Sequence, residues 1–503
     1  MSRTLPSPGA NAHDTDYLRL NGWGLAFILA ALTACRIWAA SRLGLVPDET
    51  YYWLWSRVPS WGYYDHPPMI AWWIWLSTYI FGPTPLAIRL LPVLSVLVVS
   101  AAVYGTSREL LPERKYAHRS ALWLNAMFLI GGGAVFATPD APSIMFWALA
   151  VWLLARIRAR SEPYLWLVFG LVAGLGSVSK YTNLFLGLGV VLWLLTDRNA
   201  RKWLSSPWLY AGGFIALAVF IPVIFWNAGH HWVSFAKQFG RIGNGHFTLR
   251  YLGEFLLAQF GLLNPLIAIF GVIALAAAWR SGDRNAGSTA GFLVVLTLPL
   301  VAYMVFHSLH GRVQGNWPAP IYPAVAILAA TAVNETTGVH LKRLARYVVP
   351  VGVGLPLLAF AYFGSARGGW LPFVSPADLL SGWPGLARKI DDVRQGEGAK
   401  WIATADYGLT AELEYHTGGK GLVQEVVDRE RYSYGKPDSS LAKEPALLVL
   451  RGRDRNEIRI LNCFKTAIPA GGISRSAGDR IIESYRLFKV SGGPSDILSS
   501  GCP

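Results

Sequence analysis

Six polar motifs bring carboxylates, imidazoles, a lysine and an arginine to the ends of long apolar segments. They are Asp48-Glu49, Asp65-His66-Pro67-Pro68, Thr138-Pro139-Asp140, Lys180-Tyr181-Thr182, His230-His231-Trp232 and the run from His307 to Pro320, HSLHGRVQGNWPAP. Asp48 and Glu49 read two ways. Carboxylates favour the start of a helix over Thr50–Arg57, and they equally suit a general base or a metal ligand. At Asp65 and His66 the two prolines hold an extended turn, and a carboxylate beside an imidazole suits a divalent metal. The plainer alternative there is a capping Asp with an incidental His. Asp140 opens an apolar segment, where an Asp caps a helix or marks a functional site at a span's end. Lys180 separates two short apolar segments; it either snorkels to water or holds an anion. Lys237, Arg241 and Arg250 share that ambiguity, and Arg250 with Glu254 has the i,i+4 spacing of a helix pair. In the last motif, Gly311 and Gly315 allow tight turns, Arg312 can fork onto phosphate, and Asn316 lies just before the prolines that start the next helix. Six of the ten histidines (His66, His230, His231, His246, His307 and His310) fall in these connections, enough to expect at least one functional imidazole.

The elements that position these motifs are apolar. The chain has 503 residues, 53% hydrophobic and only 15% charged, against about 25% charged in a soluble domain. That composition predicts a polytopic membrane protein. Apolar spans on this scale exclude a nucleic-acid-binding reading of the net charge of +15. Spanning hydrocarbon takes roughly 20 apolar residues, and eleven segments qualify: 20–42, 85–107, 119–137, 141–158, 163–179, 183–197, 208–227, 254–279, 288–307, 318–335 and 345–364. The fifth and sixth are short. Residues 69–81, with Trp72, Trp73 and Trp75, suit a helix lying in the membrane interface. With residues 1–19 as a cytoplasmic tail, the inner loops and tail hold 17 Lys and Arg and the outer connections seven. The positive-inside rule then places all six motifs on the outer face. The domains expected are a membrane domain over 20–364, with its first outer loop at 43–84, and an outer domain over 365–503. In the outer domain Trp383, Leu386, Ile390 and Val393 have helical spacing, and 400–404, 421–427 and 445–451 read as strands, giving a small α/β fold. Cys463 and Cys502 are open to pairing on that side. No cysteine cluster of metal-binding type appears in the sequence.

Taken in order, PDETYYW, YYDHPPM, ATPDAP, SKYT and GRVQGNWPAPIYP resemble the GT-C glycosyltransferases of the protein O-mannosyltransferase and aminoarabinose (lipid A) transferase superfamily. The likeness covers residues 20–365 and extends to GWPGLARKI and ADYGLTAELEYH in the tail. It implies a GT-C fold with about 11 to 13 transmembrane helices, interfacial helices in the first outer loop and a C-terminal periplasmic α/β domain. It also implies transfer of a sugar from a polyprenyl-phosphate donor to a hydroxyl of an envelope glycolipid or protein, at the periplasmic face of a bacterial inner membrane. The family's first-loop acidic residue, its presumed base, maps to Asp48, with Glu49 beside it. A second acidic position associated with metal binding or site architecture maps to Asp65, although this chain has Asp-His-Pro where the aminoarabinose transferases have Glu-Lys-Pro. A polyprenyl-phosphate leaving group calls for cations more than for a strong acid, and Lys180, Arg241 and Arg312 are the expected phosphate holders.

Three other classes compete. A lipid flippase or transporter would place ionisable residues mid-span, whereas here they sit at span ends, Arg36 excepted. An oligosaccharide ligase would share the donor type, and a membrane sensor would bind through its tail without catalysis.

Overall fold

The computed structural model describes residues 21–240, 246–280, 286–335, 339–365, 376–435, 438–452 and 456–502. Arg241 and the polar N-terminal tail lie outside the described residues. Six described helices are long and apolar enough to cross a membrane: Gly22–Arg42, Pro85–Leu110, Asp140–Arg160, Pro207–Gly229, Thr289–Ser308 and Val339–Gly364. Shorter apolar helices stand among them, including Leu165–Ser179. Between helices in lipid, small residues allow the close approach that drives association. Gly170 shows it: a Cβ there would run into the backbone of Gly212 on the neighbouring Pro207–Gly229 helix.

Two of the eleven expected spans are corrected. The segment read as 254–279 is two helices, Arg250–Leu262 and Pro265–Arg280, bent by 107°. Pro265 cannot continue a helix, and Asn264 before it adopts φ +69°, a left-handed conformation that Asn tolerates. The buried Asn264 amide then donates to the carbonyls of Ala126 (3.2 Å) and Val348 (3.3 Å), which fixes the bend. The segment read as 119–137 also breaks. A helix over Arg114–Asn125 gives way at Ala126 to one turn at Phe128–Gly131 and a 3-10 turn at Gly133–Val135. Arg36, the one mid-span cation that favoured a transporter, clamps this break by donating to Asn125 Oδ1 (2.9 Å) and the Gly131 carbonyl (3.2 Å).

The segment between the helices Gly22–Arg42 and Pro85–Leu110 contains two more. Pro47–Arg57 starts with proline at its first position, where the missing N–H costs nothing. Met69–Phe81 buries Ile70, Ala71, Ile74 and Ser77 and exposes Trp75, Leu76, Tyr79, Ile80 and Phe81, as an interfacial helix should.

The C-terminal domain is a five-stranded sheet: β1 (Trp401–Thr404), β2 (Val423–Glu425), β3 (Ala446–Arg451), β4 (Thr466–Ala477) and β5 (Arg480–Ser491), in the order β2-β1-β3-β5-β4. β1 runs parallel to β2 and β3, and β5 is antiparallel to β3 and β4. The β4–β5 hairpin was not expected from the sequence. Pro469, Gly471 and Gly472 weaken a strand reading, and here they sit at a bulge in the ladder. Cys463 and Cys502 form a disulfide across 39 residues. Closing a loop of that length removes denatured-state entropy worth about 3–4 kcal/mol. Cys463→Ser with Cys502→Ser is therefore expected to lower the unfolding temperature of the C-terminal domain in calorimetry; an unchanged transition would show that the link contributes nothing.

Candidate active site

Adjacent residues on a helix point about 100° apart, and Asp48 and Glu49 go to different places. Glu49 is fully buried. Its carboxylate takes Arg89 through both oxygens (Oε1 to Nε 2.7 Å, Oε2 to Nη2 2.5 Å) and also accepts the N–H groups of Val46 (3.0 Å) and Ala137 (2.8 Å). Arg89 donates its remaining hydrogens to the carbonyls of Ala40, Leu43 and Gly44. Glu49 has no capacity left for substrate. Its expected catalytic role is corrected to a structural one: it ties the loop's entry to two neighbouring segments.

Asp48 instead opens onto a cavity of about 290 Å³. Val96 and Val99 of the Pro85–Leu110 helix, Ala141 and Ile144 of the Asp140–Arg160 helix, and Leu129, Ile130 and Phe136 of the broken segment make it mostly apolar. The break at 126–135 thus forms one wall. Asp48, Thr138, Asp140, Asn316 and Ser95 supply its polar groups. Crowding by protein pushes the Asp48 carboxyl above its usual range, opposed by a hydrogen bond from Tyr407 and by the Arg431 charge. Tyr407 Oη donates to Asp48 Oδ1 at 2.9 Å.

Asp140 and Lys180, expected in separate roles, are partners. Lys180 Nζ donates to Asp140 Oδ1 at 2.6 Å, and both are buried. Asn316 Nδ2 donates to the other oxygen at 2.6 Å. Asp140 begins its helix, where an anion is favoured. The Leu165–Ser179 helix ends one residue before Lys180, whose extended backbone turns it out of the helix. Ser143 and Asn183 pair below, fixing the two segments (2.5 and 3.1 Å). Gln259 holds the loop bearing Asn316 through the Gly315 carbonyl (2.8 Å) and accepts from Tyr322 Oη (2.9 Å). Arg312 is exposed and ion-paired to Glu254 (3.3 Å), which also takes Arg250 (3.0 Å); it does not line the cavity.

Asp65 is held by a residue that sequence reading missed. Arg431, from the C-terminal domain, donates through Nη1 to Asp65 Oδ2 at 2.7 Å, and Tyr51 Oη lies 3.2 Å from the same oxygen. Burial pushes the Asp65 carboxyl up, against the pull of Arg431 and Lys237. His66 packs its ring edgewise on Tyr52. Among the described residues no group of three or more His, Cys, Asp or Glu can hold a metal ion. Of the two residues expected to hold a metal, Asp65 faces a guanidinium.

No described histidine lines the cavity. His230 stacks on Trp226 and lies 2.7 Å from its carbonyl. His231 sits in a turn with φ +54°. His307 is buried against Tyr303 and Trp317. His310 packs between Phe247 and Phe306. These four serve as packing and turn residues. Arg89, Tyr407 and Arg431 are the additions. The last two lie 359 and 366 residues from their partners, beyond any local signal.

The chain thus combines a helical membrane domain, a cavity beside the acid of its first interhelical loop and a small C-terminal sheet domain. The structure superposes on ArnT from Cupriavidus metallidurans bound to undecaprenyl phosphate, with a TM-score of 0.66 over 94% of this chain and 100% of that one, at 15% identity. The model of the dolichyl-phosphate-mannose-protein mannosyltransferase family matches residues 65–226. The chain is 30% identical to the lipid A galacturonosyltransferase RgtD of Rhizobium johnstonii over 56% of its own length and 59% of that protein's. It is 25% identical to undecaprenyl phosphate-alpha-4-amino-4-deoxy-L-arabinose arabinosyl transferase 1 of Pseudomonas fluorescens, over 68% of its own length and 66% of that protein's. Thus the chain spans about three-fifths to two-thirds of the length of these curated relatives. The chain is similar in sequence to these glycosyltransferases and shares the fold of ArnT.

Proposed function

We propose that this protein moves one sugar from a polyprenyl-phosphate donor to a hydroxyl of a lipid A-type glycolipid, at the outer face of a bacterial inner membrane. The observation that carries this is Asp48, a carboxylate of raised affinity for protons, at the mouth of an apolar cavity whose other charged group is the Lys180-paired Asp140. In the reaction the acceptor oxygen attacks the anomeric carbon while Asp48 takes its proton. The bond from that carbon to the phosphate oxygen breaks, and its electron pair stays on the phosphate. The donor diester carries one negative charge and the departing monoester two, so a cation is needed where the phosphate sits. This reading assigns that part to Lys180, which reaches the cavity's edge through Asp140, itself held by Asn316. The apolar walls suit a prenyl chain. The donor and acceptor classes follow the names of the relatives. The outward orientation is supported by the Lys and Arg bias and by a disulfide in the C-terminal domain, since such bonds persist outside reducing compartments.

Lys180→Met is expected to weaken polyprenyl-phosphate binding by about tenfold or more, the scale of one charge-assisted contact at about 1.5–3 kcal/mol. Arg312→Ala, on an exposed pair worth about 0–1 kcal/mol, should change it by about fivefold or less. Equal effects in a binding titration would remove the distinction drawn between them. The functional test is mass spectrometry of lipid A from a strain lacking the gene. Loss of one glycosyl residue, restored by the wild-type gene, is the expected result. Unchanged lipid A with sugar-loaded polyprenyl phosphate retained on the inner leaflet would favour a flippase instead.

A further inference from the structure

The C-terminal domain docks on the helix that carries the base, and it does so at contact distances that leave no slack. Tyr407 is the first residue of the helix Tyr407–His416. Its N-cap Asp406 accepts from the Leu409 N–H (2.8 Å) and is gripped by Arg451 (3.1 Å), so the start of the helix is fixed. Gly408 follows. A Cβ at that position would lie 2.9 Å from Cβ of Pro47, the residue next to Asp48. A second glycine, Gly419, would bring a Cβ within 2.6 Å of the Trp53 ring on the same helix. Tyr432 Oη donates to the Tyr407 carbonyl (2.7 Å), and Tyr51 Oη lies 2.9 Å from the Arg431 carbonyl. Arg431 is held on each side. Its Nε donates to Asp428 (2.7 Å), and its guanidinium lies over the rings of Tyr407 (4.4 Å) and Tyr64 (5.5 Å).

We propose that Tyr407 and Arg431 are positioning residues of the active site: Tyr407 aims Asp48 through their hydrogen bond, and Arg431 is the fixed cation that holds Asp65. This rests on the transferase reading above and adds that the outer domain is part of the catalytic unit. The single Nη1 donation to Asp65 Oδ2 is charge-assisted and fixes direction as well as charge. Removing it would leave Asp65 half-buried beside the acidic Asp428.

The pH dependence follows from the groups that face Asp48. Its own helix presents Glu49, neutralised by Arg89, together with Tyr52. The outer domain presents Tyr407 and Arg431, and across the cavity stands Asp140 paired with Lys180. Tyr407 and Arg431 favour the charged form of Asp48. A base works deprotonated, so kcat/KM rises with pH through the pKa of Asp48. Loss of either partner moves that rise to higher pH.

The test uses the full chain purified in detergent. Tyr407→Phe keeps the ring and its packing. It should move the acidic limb of kcat/KM upward by about one pH unit, with most of the rate recovered on the alkaline side. Arg431→Gln should do the same, and Arg431→Lys should partly restore the position of the limb. Gly408→Ala, which touches neither carboxylate, should shift it in the same direction by lifting the helix from Pro47. Limbs that superimpose on the wild type in all three positions would overturn the proposal. Hydrogen exchange supplies a readout that needs no turnover: Arg431→Gln should speed exchange over residues 46–66 at least severalfold. Unchanged exchange there would also overturn it. A wild-type protein with no transferase activity, but with this exchange response, would sink the transferase reading and leave the docking role standing.

Discussion

Asp48→Asn is expected to lower the rate of sugar transfer by about 10²- to 10⁴-fold, the usual contribution of a positioned general base. The amide keeps an oxygen to accept from Tyr407 and has nearly the same volume, so fold and donor binding should survive. Asp140 begins one helix and Lys180 follows the end of another, joined by their own ion pair, and nothing in their arrangement depends on charge at Asp48. The effect should therefore fall on kcat, with polyprenyl-phosphate binding within about twofold of wild type; an interaction made only in the transition state lowers kcat and kcat/KM together. Turnover within a few-fold of wild type in a folded Asp48→Asn protein would remove Asp48 from the role of base.

The neighbouring substitution should behave in the opposite way. Glu49→Gln leaves Arg89 fully buried without its carboxylate, and breaking a buried ion pair from one side costs about 3–5 kcal/mol. That is a large part of the about 5–15 kcal/mol that holds a typical domain together. A steep fall in thermal stability and in membrane expression is the expected outcome, whereas Asp48→Asn should leave both unchanged. Glu49→Met with Arg89→Met removes both charges and should recover part of the loss. Recovery stays partial because the N–H groups of Val46 and Ala137 then lack their acceptor, at about 1–3 kcal/mol each. If Glu49→Gln is as stable as wild type and inactive, Glu49 belongs to the chemistry after all.

Much of this architecture was legible in the sequence because membrane segments announce themselves by composition. The positions of Asp48, Asp140, Lys180 and Asn316 at span ends followed from that alone, and the structure brings Asp48, Asp140 and Asn316 to one cavity with Lys180 on Asp140. What did not follow was who faces whom. Asp140 and Lys180 carry opposite charges at ends expected on the same side, and that complementarity was available but unused. Helical geometry likewise forbids Asp48 and Glu49 a shared target, which separates the cavity-facing Asp48 from the buried Glu49. The bend at Asn264 was hidden because the apolar character runs through it; only the Asn-Pro pair marked it. Arg431 and Tyr407 had no such mark. Their partners lie in a different domain, and only the folded chain places a guanidinium where an acid and a histidine suggested a metal.

Transfer requires cleavage of a sugar–phosphate bond, which is read by reconstituting the purified protein in liposomes with a labelled polyprenyl-phosphate sugar and lipid A. The predicted result is label on lipid A, with one free polyprenyl phosphate released for each sugar transferred and neither product formed by Asp48→Asn. Movement of the intact donor across the bilayer, with the bond unbroken and lipid A unlabelled, would contradict the account.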